Sequence, residues 1–232
     1  MYVNLTIIFS MLNGLPDYKK HDDDFLNVFL YETSVKLDLK LSGYISHNFH
    51  RHIQNRRAKR NSGGVAVFYR EELQDGITIE KNIHDTIIWL KLDKTFFHLE
   101  NDSYICGVYL WCEESPMYNL VNVDLFDALE GDLMLYDAIG SVFITGDFNS
   151  RVGERIDYIP FDYVNTYIDA DDYVPDKTLS NASRDKVCNA FGVRLLDICK
   201  SNCIRVVNGR LCDDCNKGEF TFISRNGSSV ID

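Results

Sequence analysis

The chain has 232 residues, 45% of them hydrophobic and 12% aromatic, a composition that excludes a disordered or low-complexity protein. Its 24 basic and 35 acidic residues give a net charge of −11, which excludes a general basic surface for nucleic acid but not a local basic patch. No apolar stretch approaches the ~18 residues that cross a membrane. The seven cysteines form no regular disulfide framework, so we expect a soluble intracellular protein, nuclear or cytoplasmic, with reduced thiols.

Short apolar runs, many of them rich in β-branched residues, recur along the chain and predict β-strands. In chain order these runs are residues 3–9, 28–31, 64–69, 86–92, 104–110, 142–145 and 204–208. The first run lacks the positive region and the cleavage site of a signal peptide, so a buried strand is expected there. Helices interspersed among the later strands predict mixed α/β layering.

Two segments have helical spacing instead of strand alternation. The first repeats at Phe126, Leu129, Leu133 and Tyr136, with Asn122 as the expected N-cap. The second repeats at Cys188, Phe191, Leu195 and Ile198, with Ser183 or Asp185 as the expected cap. No linker or repeat interrupts the chain, which predicts a single domain over 1–232 with a solvated acidic surface loop at 157–176.

The sharpest local motif is Gly146-Asp147-Phe148-Asn149, which follows an apolar strand. With a side-chain period of two, Asp147 and Asn149 are expected on one side of the strand and Phe148 on the other. A carboxylate beside an amide suits phosphodiester hydrolysis, because the carboxylate can orient a water and the amide can donate to a phosphate oxygen. A simple Asx turn at the strand end is the alternative.

Two further features are compatible with phosphate chemistry. Glu32 follows the apolar run ending at Tyr31, and a carboxylate there suits Mg²⁺, although an exposed loop glutamate is the alternative. Five of the ten residues in 51–60 are Arg or Lys, among them Arg56, Arg57 and Arg60. This segment is where a phosphate backbone would be attracted, with a nuclear localisation signal or a solvated loop as alternatives.

These features follow one another in a recognisable order. Glu32, Ser62-Gly63-Gly64, Tyr109, the 146–149 motif, Thr221-Phe222 and Ile231-Asp232 occur in that sequence along the chain. The ordered set resembles the endonuclease/exonuclease/phosphatase superfamily, most closely the endonuclease domains of non-LTR (LINE-type) retrotransposons, over nearly the whole chain. The resemblance implies a four-layer α/β sandwich of two mixed β-sheets packed between helices, with a Mg²⁺- or Mn²⁺-dependent phosphodiesterase site at the sheet ends.

The resemblance also implies roles for single residues. Glu32 would be the metal ligand, Asp147 would orient the water, Asn149 would contact the phosphate, and Tyr109 would donate a hydrogen bond to the scissile phosphate. Tyr109 as an ordinary core aromatic is the alternative. The implied partner is DNA, held by its phosphate backbone, with neither a membrane nor an obligate protein partner implied.

Towards the C-terminus the resemblance implies two more functional residues. Thr221 would contact DNA beside the site, with a plain strand residue as the alternative. Asp232 would be the late aspartate of the family's Ile-Asp-His/Tyr motif.

Near its N-terminus the chain departs from the family pattern. Met11 stands where the family has a metal-binding asparagine, and a thioether suits Mg²⁺ poorly. Asn13 matches only the second asparagine of that motif and is a weak candidate. The stretch between residues 15 and 32 is too short and charged for the family's helix, so we expect one side of the sheet to be uncovered. A deletion or a mis-spliced gene model would explain it.

The third departure concerns the family's final Ser-Asp-His motif. The sequence ends at Asp232 and its last histidine is His98, so the general acid–base histidine, typically worth ~10²–10⁴ in rate, is missing. We therefore expect a chain truncated after 232, lacking the last strands and leaving a sheet edge exposed.

Several interpretations stay open. The first is an incomplete or degenerate endonuclease domain of retroelement type, with little activity. The second is an active phosphodiesterase that completes its site differently. The third is a non-catalytic nucleic-acid- or protein-binding module on the same fold, and the fourth is a generic α/β domain with a chance motif.

Overall fold

The computed structural model describes residues 4–7, 27–31, 38–51, 64–160, 176, 179–211, 214–225 and 227–230. Its contacts divide the chain into two compact units, Met1–Phe148 and Asn149–Asp232, which are described separately. The first is mostly β-sheet and the second is mostly irregular. The chain is thus a mixed α/β protein, as its sequence predicts.

Unit 1 contains two four-stranded sheets. The first, called here the antiparallel sheet, has the order β1-β2-β4-β3, formed by Asn4–Ile7, Asn27–Tyr31, Tyr44–Phe49 and Val65–Arg70 for β1 to β4. The second, the mixed sheet, has the order β5-β6-β7-β8, formed by Ile77–Ile83, Ile87–Leu92, Ser103–Tyr109 and Ser141–Asp147 for β5 to β8. Strands β7 and β8 are parallel and the other neighbours are antiparallel.

The two sheets pack against each other through Phe29 of β2 and Gly107 of β7. Phe29 is fully buried, and a Cβ atom at position 107 would overlap its ring. Because side chains alternate along a strand, Tyr109 shares the sheet face of Gly107, the face that meets the antiparallel sheet. This contact orients the end of β7 towards the interior between the sheets.

A helix covers the opposite face of the mixed sheet. Parallel strands need a crossover connection, and α2 (Leu125–Asp137) supplies it between β7 and β8. Its Tyr136 ring lies 4.6 Å from the rings of both Trp89 and Tyr104. The N-cap is Asp124, whose carboxylate accepts from the backbone N–H groups at 126 and 127, so the expected cap Asn122 is wrong.

The described residues of unit 1 also include three short helical segments. They are α1 (Lys94–Phe97) and the 3₁₀ segments Glu71–Gly76 and Pro116–Asn119. The expectation of an uncovered sheet face fails at β4, where Ala66 and Phe68 point away from the mixed sheet but are buried. Leu39 and Tyr44 pack against them.

Unit 2 contains α3 (Ala190–Ser201) and a hairpin of β9 (Phe222–Ser224) and β10 (Gly227–Ser229). The N-cap of α3 is Asn189, so the expected caps Ser183 and Asp185 are wrong. The strand expected at 204–208 is also wrong, since the segment is irregular and Val206 donates its N–H to the Asp157 carboxylate at 2.8 Å. A side chain replaces a strand partner there.

The acidic stretch 157–176 departs from the solvated loop expected at its two ends, while Ile159 and Pro160 are exposed as predicted. Its two end residues, Asp157 and Asp176, have buried side chains paired with Arg210 and Arg205. Residues 161–175 lie outside the described residues. In the part of the chain that the structure describes, no helix is long and apolar enough to cross a membrane.

Candidate active site at the ends of two parallel strands

Tyr109 and Asp147 lie side by side where β7 and β8 end. They are register partners in the parallel pair, so their side chains project from the same face of the mixed sheet. Both are nearly buried, with exposed fractions of 5% and 6%. The structure therefore brings together a phenol and a carboxylate that are 38 residues apart in the sequence.

Backbone hydrogen bonds fix these two strand ends. The N–H of Tyr109 donates to the carbonyl of Thr86 at 2.7 Å, and the N–H of Leu110 donates to the carbonyl of Asp147 at 2.9 Å. The second bond continues the β7–β8 ladder one residue beyond the strand. Both candidate side chains therefore project from backbone that is fixed by hydrogen bonds.

Gly146 is required at its position by close strand packing. Its φ is +136°, and a Cβ atom there would overlap the carbonyl oxygen of Val108 on β7. Only glycine fits both conditions without strain. The glycine of the 146–149 motif thus sets the approach of β8 to β7 just before Asp147.

Asn149 does not continue the strand alternation that the sequence suggested. Strand β8 ends at Asp147, and Asn149 has a left-handed backbone with φ +50°, a conformation that asparagine tolerates better than most residues. The period of two therefore stops before Asn149, and the inference that its side chain shares the side of Asp147 loses its basis. Asn149 is half-buried and begins unit 2.

Asn189, at the start of α3, holds the segment that carries Asn149. Its side-chain amide donates to the Asn149 carbonyl at 2.9 Å, and its side-chain oxygen accepts from the N–H of Arg151 at 2.9 Å and of Gly192 at 2.8 Å. Its own N–H donates to the Arg151 carbonyl at 3.0 Å. One side chain thus caps the helix and fixes the loop after the motif.

Asp185 ties the same loop to the chain just before Asp232. Its carboxylate accepts from the Arg151 guanidinium at 2.8 and 2.6 Å, and from the N–H groups of Val187 at 3.0 Å and Val230 at 3.1 Å. Burial alone would raise the pKa of Asp185, but the hydrogen bonds from Arg151, Val187 and Val230 outweigh burial and lower it. An ionised, buried carboxylate therefore organises both motif segments of unit 2.

The sequence offered little indication of these two organising residues. Asp185 drew attention only as a possible helix cap, and Asn189 not at all. Each acts on backbone groups far along the chain, so no local spacing marks it. A polar residue just before a helical pattern was the one usable signal.

The other predicted site residues are not brought together in the described structure. Thr221 is exposed and donates its N–H to the Ser229 carbonyl at 3.1 Å, at the base of the β9–β10 hairpin. Outside the described residues lie Glu32, Asn13, Arg56, Arg57, Arg60 and Asp232. Strand β2 ends at Tyr31, directly before Glu32.

No cluster of three or more His, Cys, Asp or Glu side chains able to hold a metal ion occurs among the described residues. At the paired strand ends the described carboxylate is Asp147. Carboxylate and phenol oxygens are hard donors, so the donor chemistry suits Mg²⁺ or Mn²⁺ better than a soft metal. Any metal here would need at least one more oxygen ligand.

No protein-family model matches the chain, and no curated protein sequence matches it either.

Proposed function

We propose that this chain carries a metal-dependent phosphodiesterase site of the endonuclease/exonuclease/phosphatase type, nearest to the endonuclease domains of non-LTR retrotransposons. DNA is its proposed substrate. The observation that supports the proposal most is the pairing of Tyr109 and Asp147 at adjacent strand ends, nearly buried and on one sheet face. The order of motifs along the chain adds to it.

In this proposal each group of the site has a distinct task. Asp147 accepts a hydrogen bond from the attacking water and orients it towards phosphorus, while the Tyr109 hydroxyl donates to a non-bridging phosphate oxygen. Asn149 is assigned a phosphate contact by the motif resemblance alone. Glu32, with oxygen donors that fit a hard cation, would hold Mg²⁺ or Mn²⁺, which polarises the phosphoryl oxygen when bound.

The finer architecture is also a proposal. Unit 1 has three layers in contact, since the antiparallel sheet packs on the mixed sheet through Phe29 and α2 packs on the far side of the mixed sheet. We propose that the complete arrangement is a four-layer sandwich. Helical cover on the outer face of the antiparallel sheet would supply the fourth layer.

The proposed activity is low. Met11 stands where the family places an asparagine that helps to bind metal, and a thioether is a soft, weak ligand for Mg²⁺. A degenerate copy of a retroelement endonuclease fits this substitution. Met11→Asn is expected to raise the Mg²⁺-dependent nicking rate.

The test is nicking of supercoiled plasmid DNA in Mg²⁺ or Mn²⁺. Tyr109→Phe, which removes one hydrogen-bond donor to developing charge, is expected to lower the rate by roughly 10²-fold, and Asp147→Asn by at least as much. Asp75→Asn, an exposed carboxylate of the same unit, is the matched control and should leave nicking unchanged. Nicking that survives Asp147→Asn, or no nicking in either metal, would contradict the proposal.

A non-catalytic nucleic-acid-binding module is the second candidate. It is favoured by Arg51, the first residue of the basic segment, whose guanidinium lies 5.3 Å from the centre of the Trp111 ring. Salt-dependent DNA binding without cleavage would support it. Neutralising Arg56, Arg57 and Arg60 together should then weaken binding and reduce its salt dependence.

A further inference from the structure

A cavity of about 280 Å³ lies in unit 1 and is lined in part by Trp111, two residues after Tyr109. Trp111, Met117 and Val121 supply its apolar wall. The polar lining is Arg51, Asn82, His84 and Asp85, whose carboxylate accepts from the Asn82 amide at 3.0 Å. The volume lies near the lower end of ligand pockets in proteins. It has room for a single nucleotide but not for a duplex.

The Trp111 ring is held in one position. Only 3% of the residue is exposed, the edge of the Tyr118 ring approaches it at 5.1 Å, and the Tyr118 hydroxyl donates to its carbonyl at 2.9 Å. The Arg51 guanidinium lies 5.3 Å from the ring centre. An aromatic ring with a stacked guanidinium is a combination that binds nucleotides through stacking and charge.

The indole N–H of Trp111 is a donor without an acceptor. Its Nε1 is buried and has no hydrogen-bond partner among the described residues. Trp89 has an unpartnered Nε1 too, but Trp111 lines a cavity, and an acceptor bound there would pair its N–H. Phosphate oxygens and base edges are both acceptors of this kind.

The β5–β6 turn, which contributes to the cavity lining, is bonded to the strand end that carries Tyr109. His84 and Asp85 both have left-handed backbones, with φ of +47° and +56°, and the next residue, Thr86, accepts the hydrogen bond from Tyr109. Trp111 follows Tyr109 by two residues. The turn and the Tyr109 strand end therefore belong to one rigid piece of structure.

We infer that this cavity binds the nucleotide next to the phosphate held at Tyr109 and Asp147. The identity of this ligand rests on the proposed function. The base packs beside the Trp111 ring, the indole N–H donates to an acceptor of the nucleotide, and Arg51 attracts the backbone phosphate. Substrate DNA is thus bound on one side of the scissile phosphodiester bond.

The two tryptophans of the chain provide a matched test. Trp89 is also buried with an unpartnered Nε1, but it packs against Tyr136 under α2. Trp89→Phe leaves Trp111 as the sole indole, and Trp111→Phe leaves Trp89. A short single-stranded oligonucleotide, added in EDTA, should change tryptophan fluorescence saturably in wild type and Trp89→Phe and leave Trp111→Phe unchanged.

Affinity gives a second measurement that needs no tryptophan substitution. By anisotropy of a labelled oligonucleotide in EDTA, Arg51→Ala should weaken binding about tenfold, because it removes the cation that attracts the backbone phosphate. Arg70→Ala, which removes the same charge at a half-buried position paired with Glu72, is the control and should weaken binding far less. Equal losses from the two arginine variants would overturn the inference.

The outcomes separate this inference from the proposed function. A Trp111 fluorescence response without Asp147-dependent nicking would support the cavity and contradict the nuclease. Nicking that depends on Asp147, with a silent Trp111 and unchanged binding by Arg51→Ala, would support the nuclease and overturn the cavity.

Discussion

Different kinds of interaction position the residues inside each of the two units. In unit 1 the candidate site is positioned by the sheet ladder, where Tyr109 and Asp147 are set by strand register and backbone hydrogen bonds. In unit 2 the loops are positioned by buried charged side chains, as Asp185 shows with Arg151. Register depends on the strand as a whole, whereas an ion pair depends on two residues. Single substitutions should therefore affect the units differently.

The pair of Arg210 and Asp157 is the strongest example in unit 2. The guanidinium donates to both carboxylate oxygens at 2.5 and 2.7 Å, and to the carbonyls of Val206, Leu179 and Ser180. The side chains are 3% and 1% exposed. One arginine thus joins the stretches around 157, 180 and 206.

The largest effect is expected from Arg210→Met, which keeps much of the volume and removes the charge. It leaves the Asp157 carboxylate buried without its partner, which typically costs about 3–5 kcal/mol. Buried thiols report each unit separately, because burial raises the pKa of Cys199 in unit 2 to about 12 and that of Cys106 in unit 1 well above its ordinary value. Alkylation of Cys199, followed by mass spectrometry, should accelerate by roughly 10²-fold or more.

Arg184→Met is the matched control for this substitution. Arg184 pairs with Glu219, but the two side chains are 53% and 48% exposed, and such pairs contribute about 0–1 kcal/mol. Cys199 labelling should hardly change in that variant, and Cys106 labelling should change in neither. Equal acceleration at both cysteines in Arg210→Met would mean that the units do not differ in the proposed way.

A smaller effect, in the opposite unit, is expected from Gly107→Ala. The added methyl group overlaps the Phe29 ring between the sheets, and overpacking of this kind costs about 1–3 kcal/mol. Labelling of Cys106 should accelerate while that of Cys199 stays unchanged.

Gly131→Ala on α2 has open space around it and should instead stabilise unit 1 by about 0.5–1 kcal/mol, because alanine favours the helix.

The same contrast explains what the sequence could predict. Six of the seven predicted strands exist, since buried runs such as Ile87–Leu92 are apolar over nearly their whole length. Four of the described strands were missed. Of these, β3 and β5 are partly exposed and carry polar residues, so their pattern resembled loops, and β9 and β10 have only three residues each. The segment 204–208 forms no strand because side chains bond its backbone: Val206 donates to Asp157 and accepts from Arg210, which the local sequence pattern does not reveal.

The same contrast separates the candidate-site residues that the sequence predicts from those that it does not. Tyr109 and Asp147 end apolar runs, so motif order and strand logic both predict them, and Gly146 follows from the close approach of the strands. Asn189 and Asp185 were not predicted as site residues. Their role depends on bonds to backbone groups and to the Arg151 guanidinium 34 to 45 residues away, which no local periodicity encodes.

His47 of β3 offers a test within unit 1 that depends on pH. Its Nε2 lies 2.9 Å from the Tyr69 hydroxyl, and the rings stack at 5.5 Å. Burial lowers the pKa of His47 below its ordinary value of 6.5. The folded state therefore binds fewer protons than the unfolded state just below that pH.

The smallest expected effect follows from this pKa. Because the unfolded chain takes up the proton first, His47 should cost no stability above about pH 6.5 and should destabilise unit 1 progressively as the pH falls below it. His47→Gln does not titrate, so its urea midpoint, followed by tryptophan fluorescence, should fall less than that of wild type between pH 8 and pH 5. Both tryptophans lie in unit 1, so the signal reports that unit. His84→Gln, at an exposed turn, is the control and should retain the wild-type pH dependence. Parallel curves for wild type and His47→Gln would show that protonation of His47 does not destabilise unit 1.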